Sequence, residues 1–140
     1  MKNIKVCILA AILCSCLFSV TARTVSAHPI DTALKEKMDA DSTTSGMIEA
    51  CQWAVQEWDK LLNENYKTLM TKLDKENQEL LRASQLAWIK YRDLEFKFNY
   101  NFWGGFDGTM YRPFPSIFQA NFVRERALEL GSYLKDLKDK

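Results

Sequence analysis

An apolar stripe through the middle of the chain limits the possible folds more than any other feature. Apolar residues recur there every three or four positions, which is the spacing of one face of an α-helix. The stripe comprises Cys51, Val55, Trp58, Leu62, Tyr66, Leu69 and Leu73, and then Leu80, Ser84, Ala87 or Trp88, Tyr91, Leu94 and Phe98. One unbroken helix from Ser45 to Trp103 would extend about 90 Å at about 1.5 Å per residue, which is far beyond a small domain. The stripe therefore predicts a helical hairpin over residues 46–103, with Asp74 as the N-cap of its second helix.

Several polar residues lie on the same stripe, where a helical core would require them to have partners. A turn near residue 75 places Asp59 opposite Arg92, and this carboxylate and guanidinium can form a bidentate ion pair. The same register pairs Asn63 with Trp88 and Tyr66 with Gln85. The sequence thus predicts a structural clasp that fixes the register of the hairpin, made of Asp59, Asn63, Tyr66, Gln85, Trp88 and Arg92.

The rest of the chain adds one helix on each side of the hairpin. Ile30, Leu34 and Met38 are spaced by four and predict a short N-terminal helix. Residues 104–115 contain three glycines and two prolines and predict a loop. Residues 116–137 predict a C-terminal helix, with a polar side that includes Arg124, Glu125, Arg126 and Glu129. The predicted fold is all-α: a small antiparallel helical bundle built on the long hairpin.

The 104–115 loop is the candidate partner-binding surface, because loops on a rigid scaffold often carry recognition residues. Its candidate contact residues are Phe106, Asp107, Tyr111 and Arg112. In an alternative interpretation, Phe106, Met110 and Tyr111 fill the end of the bundle. The sequence leaves both interpretations open.

The N-terminus has the features of an export signal. Lys2 and Lys5 precede an apolar run over residues 6–20, and small residues precede His28, so we expect residues 1–27 to be a signal peptide and residues 28–140 to form a single domain. Acylation at Cys16 is the less favoured alternative. The expected location is the periplasm or the exterior, with no membrane span in the mature chain.

Composition and residue types argue against several classes of function. Loss of Lys2, Lys5 and Arg23 with the signal changes the net charge from +1 to −2, which does not favour nucleic acid as a partner. Cys51 is the one cysteine that remains, and its place on the apolar stripe favours burial. No catalytic set, metal-ligand set or cofactor motif is recognisable, so we expect no enzyme, no metal and no cofactor.

The stripe also carries a family resemblance. Cys51, Trp58-Asp59, Leu62-Asn63 and Tyr66, followed by Gln85, Trp88 and Arg92-Asp93, resemble the LprI-type lysozyme inhibitor domain. The resemblance covers residues from about Ile30 to Tyr133 and implies a helical, exported envelope protein. It implies a protein partner, lysozyme, inhibited by occlusion of its cleft. The alternative function is a non-catalytic structural or assembly module that contacts another envelope protein.

Overall fold

The structure is a computed structural model that describes residues 27–138. It contains four α-helices: α1 (Pro29–Ala40), α2 (Thr44–Lys72), α3 (Lys75–Gly104) and α4 (Phe114–Asp136). A short 3₁₀ turn, Thr109–Tyr111, lies between α3 and α4. The predicted all-α helical bundle is confirmed. The predicted signal peptide up to Ser26, with the possible acylation site Cys16, lies outside the described residues.

Side-chain caps fix the residues at which α1, α2 and α3 begin. His28 accepts a hydrogen bond from the backbone N–H of Ile30 before Pro29 opens α1. The hydroxyl of Thr43 accepts from the N–H of Gly46 at 3.1 Å and caps α2. Asp74 accepts from the N–H of Asn77 at 2.9 Å, so the prediction that it caps α3 is confirmed.

The core lies mainly between α2 and α4. Small residues line both helices at this contact, so their backbones approach closely; they include Cys51 and Ala54 on α2 and Ala120, Val123 and Ala127 on α4. Trp58, Leu62, Leu69 and Leu130 fill the remaining space and are fully buried. Burial of each such large side chain contributes about 1.5–3 kcal/mol. α2 and α4 run in the same direction, because Trp58 meets Arg124 and Asn65, further along α2, meets Ala127.

α3 packs on α4 in the opposite direction and at a greater separation. Along α3, Gln85 contacts Arg126, Trp88 stacks on Phe122 at 5.8 Å, and Trp103 meets Phe114 at 4.7 Å between ring centroids. The chain therefore reverses between α2 and α3, but α4 covers most of the apolar stripe of α2. The predicted short N-terminal helix is also present, and Ile30, Leu34 and Met38 pack against the core as expected.

Candidate functional site

The segment that connects α3 to α4 forms a compact turn at one end of the bundle. The N–H of Phe106 donates to the carbonyl of Trp103 at 3.2 Å, and the N–H of Arg112 donates to that of Thr109 at 3.2 Å. Gly108 between them has φ of +110°, a conformation that favours glycine over residues with a side chain. Local hydrogen bonds and Gly108 thus fix the shape of this segment, which we call the end loop (residues 105–113).

A cluster of aromatic rings packs against the end loop where α3 ends and α4 begins. The ring of Tyr111 stacks on Trp103 at 6.1 Å, with an interplanar angle of 15°, and lies 5.1 Å from Phe106. Trp103 in turn meets Phe114 at the start of α4. Phe106 and Tyr111 therefore contribute to packing at the end of α3 and α4, as the capping interpretation requires. Edge-to-face and stacked contacts of this kind restrict ring motion.

Other side chains of the end loop point to solvent. Asp107 and Arg112 are exposed, Met110 is 65% exposed, and Phe106 itself is 44% exposed. Among the described residues, neither Asp107 nor Arg112 forms an ion pair. A depression of about 480 Å³ lies beside these residues; its lining includes Tyr100, Trp103, Phe106, Asp107, Tyr111, Arg112 and Pro115. The four predicted contact residues are thus close together, and the end loop combines a packed base with a polar and apolar exposed surface.

The predicted clasp between α2 and α3 is not formed. Asp59 accepts a hydrogen bond from Asn63 of its own helix at 2.9 Å, and Arg92 donates to its neighbour Asp93 at 2.7 Å. The guanidinium of Arg92 also lies over the ring of Trp88. The pairing of Asp59 with Arg92 was wrong because it assumed that α2 and α3 cover each other, whereas α4 occupies that position.

The remaining clasp residues contact α4 or the core. Gln85 accepts from Nε of Arg126 at 3.0 Å, and Trp88 stacks on Phe122. Tyr66 packs against the edge of the core and is partly buried. Asn63 is exposed, so it faces neither Trp88 nor the core.

Two arginines of α4 have structural roles that the sequence did not reveal. Arg126 was expected on the polar side of α4, but it is 7% exposed and donates to Gln85, to Ser84 at 3.2 Å and to Glu129 at 2.7 Å. It lies three residues after Val123 and four before Leu130, which are both core residues. That spacing is the signal that could have identified it.

Arg124 joins α4 to the N-terminal helix. Its guanidinium donates to both carboxylate oxygens of Asp31, with Nε–O distances of 2.8 and 3.0 Å and an Nη2–O distance of 2.8 Å. Hydrogen bonding to Asp31 raises the pKa of Arg124 above its ordinary value. Arg124 also lies 5.6 Å over the ring of Trp58, and the ring of His28 contacts the same indole at 4.5 Å. This arrangement holds α1 in place and buries Trp58.

Cys51 is buried in the core, as its position on the stripe predicted. Burial raises the pKa of its thiol. Within residues 27–138, no three histidine, cysteine or acidic side chains group as metal ligands would. No described helix is long and apolar enough to cross a membrane.

Comparisons with known proteins agree with this architecture. The model of the family described as lysozyme inhibitor LprI matches residues 35–130, which span the second half of α1 through most of α4. A crystal structure of an uncharacterized protein from Burkholderia thailandensis superposes with a TM-score of 0.74 at 26% identity, over 81% of this chain. The matched region spans 57% of that protein's length. A comparison with curated proteins finds no match.

Proposed function

Because this chain belongs to the lysozyme inhibitor LprI family, we propose that it is an exported inhibitor that binds lysozyme through its end loop and occludes the substrate cleft. The match is to an inhibitor domain, and this favours a protein partner over a catalytic role. Lysozyme as the target, the end loop as the contact surface and the exported location are proposed. The fold and the family membership do not depend on them.

The observation that carries the proposal is the exposed surface of the end loop on a packed aromatic base. Asp107, Met110 and Arg112 are exposed, while Tyr111 is held between Phe106 and Trp103. A surface with a fixed shape loses less conformational entropy on binding than a flexible one. Aromatic and arginine side chains are also the types that most often dominate binding energy at protein interfaces.

The exposed groups suit the chemistry of a lysozyme cleft. Glycosidases of this kind hydrolyse their substrate with a pair of carboxyl groups. A guanidinium such as that of Arg112 can donate two parallel hydrogen bonds to a carboxylate, and this would compete with the substrate. The carboxylate of Asp107 can contact the basic surface typical of such enzymes and accelerate encounter.

An exported location is part of the proposal. The family is described as a lysozyme inhibitor, and residues 1–27 have the pattern of a secretory signal. We therefore place the mature protein in the periplasm or outside the cell. The mass of the purified protein distinguishes cleavage before His28 from acylation at Cys16.

A titration of the purified protein into a muramidase assay tests the function. We expect inhibition at micromolar protein or below, and an increase in the inhibition constant of about 10-fold or more for Arg112→Ala and for Tyr111→Ala. Arg82→Ala is the matched control, because Arg82 is exposed on α3 near the opposite end of the bundle. Circular dichroism checks that each variant retains its helices.

Absence of inhibition by the wild-type protein would exclude this function. Inhibition that Arg82→Ala weakens as strongly as Arg112→Ala would exclude the end loop as the contact surface while leaving the function intact.

The alternative function is a non-catalytic assembly module that contacts another envelope protein. The exposed apolar residues of α3, such as Leu94 and Phe98, favour it. Crosslinking in intact cells separates the two functions: a resident envelope protein captured through α3, together with no effect on muramidase, supports the assembly module.

A further inference from the structure

α3 has two apolar faces, and in the described part of the chain one of them is covered by α4 only along one edge. Leu81, Trp88, Phe96 and Trp103 contact the core or the aromatic rings of α4 and the end loop. Another set of residues on α3 is exposed; we call it the exposed seam, and it consists of Leu80, Ser84, Ala87, Tyr91, Leu94 and Phe98. Ser84 and Tyr91 lie at the edge of the exposed seam nearest α4, where Ser84 accepts from Arg126 at 3.2 Å and the ring of Tyr91 lies 5.5 Å from that of Phe122. Leu80, Leu94 and Phe98 are directed to solvent.

The spacing of the exposed seam is that of a two-stranded coiled coil. Its residues advance alternately by four and three positions, so they follow a seven-residue repeat from Leu80 to Phe98. The large members are strongly exposed: Leu80 is 61%, Tyr91 54%, Leu94 68% and Phe98 62% exposed. A repeat of this kind keeps one seam in contact with a second helix over its whole length.

We propose that the exposed seam binds the same seam of a second copy of this chain, with the two α3 helices parallel. The area is sufficient: at these exposures the large seam residues and the adjacent Phe102 present roughly 500 Å² of apolar surface per copy. Two copies together then bury on the order of 1,000 Å², which reaches the lower limit for a specific interface.

The charges beside the seam favour a parallel arrangement. Lys90 and Glu95 flank the seam on opposite sides, and neither forms an ion pair among the described residues. In a parallel pair, a residue at the position of Lys90 faces the residue five positions later in the other helix, which is Glu95 of the partner subunit. The two-fold axis produces this contact twice. An antiparallel pair centred on the seam would instead bring Lys90 near Lys90 of the partner subunit, which places like charges together.

A parallel pair also has a geometric consequence for the end loop. Because both α3 helices end on the same side, the two end loops lie at the same end of the dimer. The dimer goes beyond the proposed inhibition and does not depend on it, since each end loop belongs to one copy.

Sedimentation velocity of the purified protein tests the proposal. The mass of its single chain is first measured by mass spectrometry. We expect the wild-type protein to sediment at twice the chain mass at concentrations on the order of 100 µM, and Leu94→Lys and Phe98→Lys to raise the dissociation constant at least roughly 10-fold. Leu86→Lys and Tyr100→Lys are matched controls, because Leu86 and Tyr100 are equally exposed on α3 but lie outside the seam. Unchanged circular dichroism shows that the lysine variants fold.

A cysteine at position 94 tests the orientation. In a parallel pair the two Leu94→Cys side chains are adjacent and form an intermolecular disulfide on oxidation, whereas Leu86→Cys does not. An antiparallel pair centred on the seam places residue 94 opposite Ser84 of the partner subunit. The native Cys51 is buried and does not interfere.

A monomeric wild-type protein at this concentration would overturn the proposal. Equal dissociation by the seam and control variants would also overturn it. A dimer that seam variants dissociate, but that Leu94→Cys does not crosslink, would overturn the parallel orientation.

Discussion

Gln85 of α3 accepts a hydrogen bond from Nε of Arg126 of α4 at 3.0 Å, and both side chains are buried. This bond fixes the contact between two helices whose other contacts are mainly aromatic. Arg126 also donates to Ser84 and Glu129, so its charge is surrounded by acceptors. A buried guanidinium of this kind depends on each acceptor, because an unsatisfied donor inside a protein is costly.

Replacement of Gln85 should therefore destabilise the fold. Gln85→Leu leaves Nε of Arg126 without its acceptor, and we expect the free energy of unfolding to fall by about 1–3 kcal/mol. Ser84→Ala removes another acceptor of Arg126, but Ser84 is exposed and water can replace its hydroxyl, so we expect a smaller loss of about 0.5 kcal/mol. The double variant Gln85→Leu/Arg126→Met should regain part of the loss, since both polar groups are then removed. Urea denaturation measures all three, and a Gln85→Leu protein as stable as the wild type would show that water replaces the lost bond.

The ion pair of Asp31 with Arg124 should contribute more than an ordinary surface pair. The two side chains are bidentate and partly buried, with 25% and 35% of their side-chain surfaces exposed. We expect Asp31→Asn to lower the free energy of unfolding by about 1 kcal/mol, after allowance for solvent screening. Asp39→Asn on the same helix breaks the exposed pair with Lys35 and should cost less than about 0.5 kcal/mol. Similar losses for the two variants in thermal denaturation would mean that the ion pair between Asp31 and Arg124 contributes no more to stability than the exposed pair does.

Gly46 should not tolerate a side chain, although it lies in an ordinary helical turn. A Cβ atom at this position would approach the backbone oxygen of Asp41 to 2.5 Å and also overlap its carboxyl group. We expect Gly46→Ala to shift the turn between α1 and α2 and to cost about 1–3 kcal/mol. Gly104→Ala is the control, because nothing lies within 4 Å of its added Cβ, and it should be neutral or stabilising by up to about 1 kcal/mol. Thermal denaturation of the two alanine variants under the same conditions measures both changes in stability.

The thiol of Cys51 should make stability fall at alkaline pH. Burial raises its pKa in the folded protein, so the unfolded chain ionises first as the pH rises. The contribution is fully present below the unfolded pKa of about 8.5 and is lost as the pH rises through the folded pKa. Denaturation between about pH 8 and pH 10 should show a steeper loss for the wild type than for Cys51→Ala. Identical slopes, or rapid alkylation of the native thiol, would contradict burial of this group.

Periodicity predicted the helices well because it depends on local structure. The spacing of Ile30, Leu34 and Met38, the stripe from Cys51 to Leu73 and the cap at Asp74 all appear in the structure. An apolar face does not specify which helix will cover it, however. The choice between α3 and α4 was made by Ala120 and Ala127, whose small side chains let α4 approach α2 closely.

The polar residues were harder to assign for the same reason. Gln85 was correctly identified as a residue that requires a partner, but the partner is Arg126 rather than Tyr66. Arg126 has acidic and basic neighbours in the sequence, a pattern that predicts a surface charge. The end loop was located from its glycines and prolines, whereas the stacking of Tyr111 on Trp103 depends on the path of the backbone. The binding roles of Asp107 and Arg112 remain a proposal that the muramidase assay decides.

The uneven burial of the helices has a consequence for motion. α2 and α4 share a core of fully buried residues, whereas Gln85 is the buried residue of α3 in the described chain. Amide hydrogens are exchanged with solvent through local opening, and segments with few buried contacts open at the lowest free energy. The amides of α3 should thus exchange before those of α2 and α4. The helix that presents the exposed seam and supports the end loop is then the part of the molecule best able to adjust its position when a partner binds.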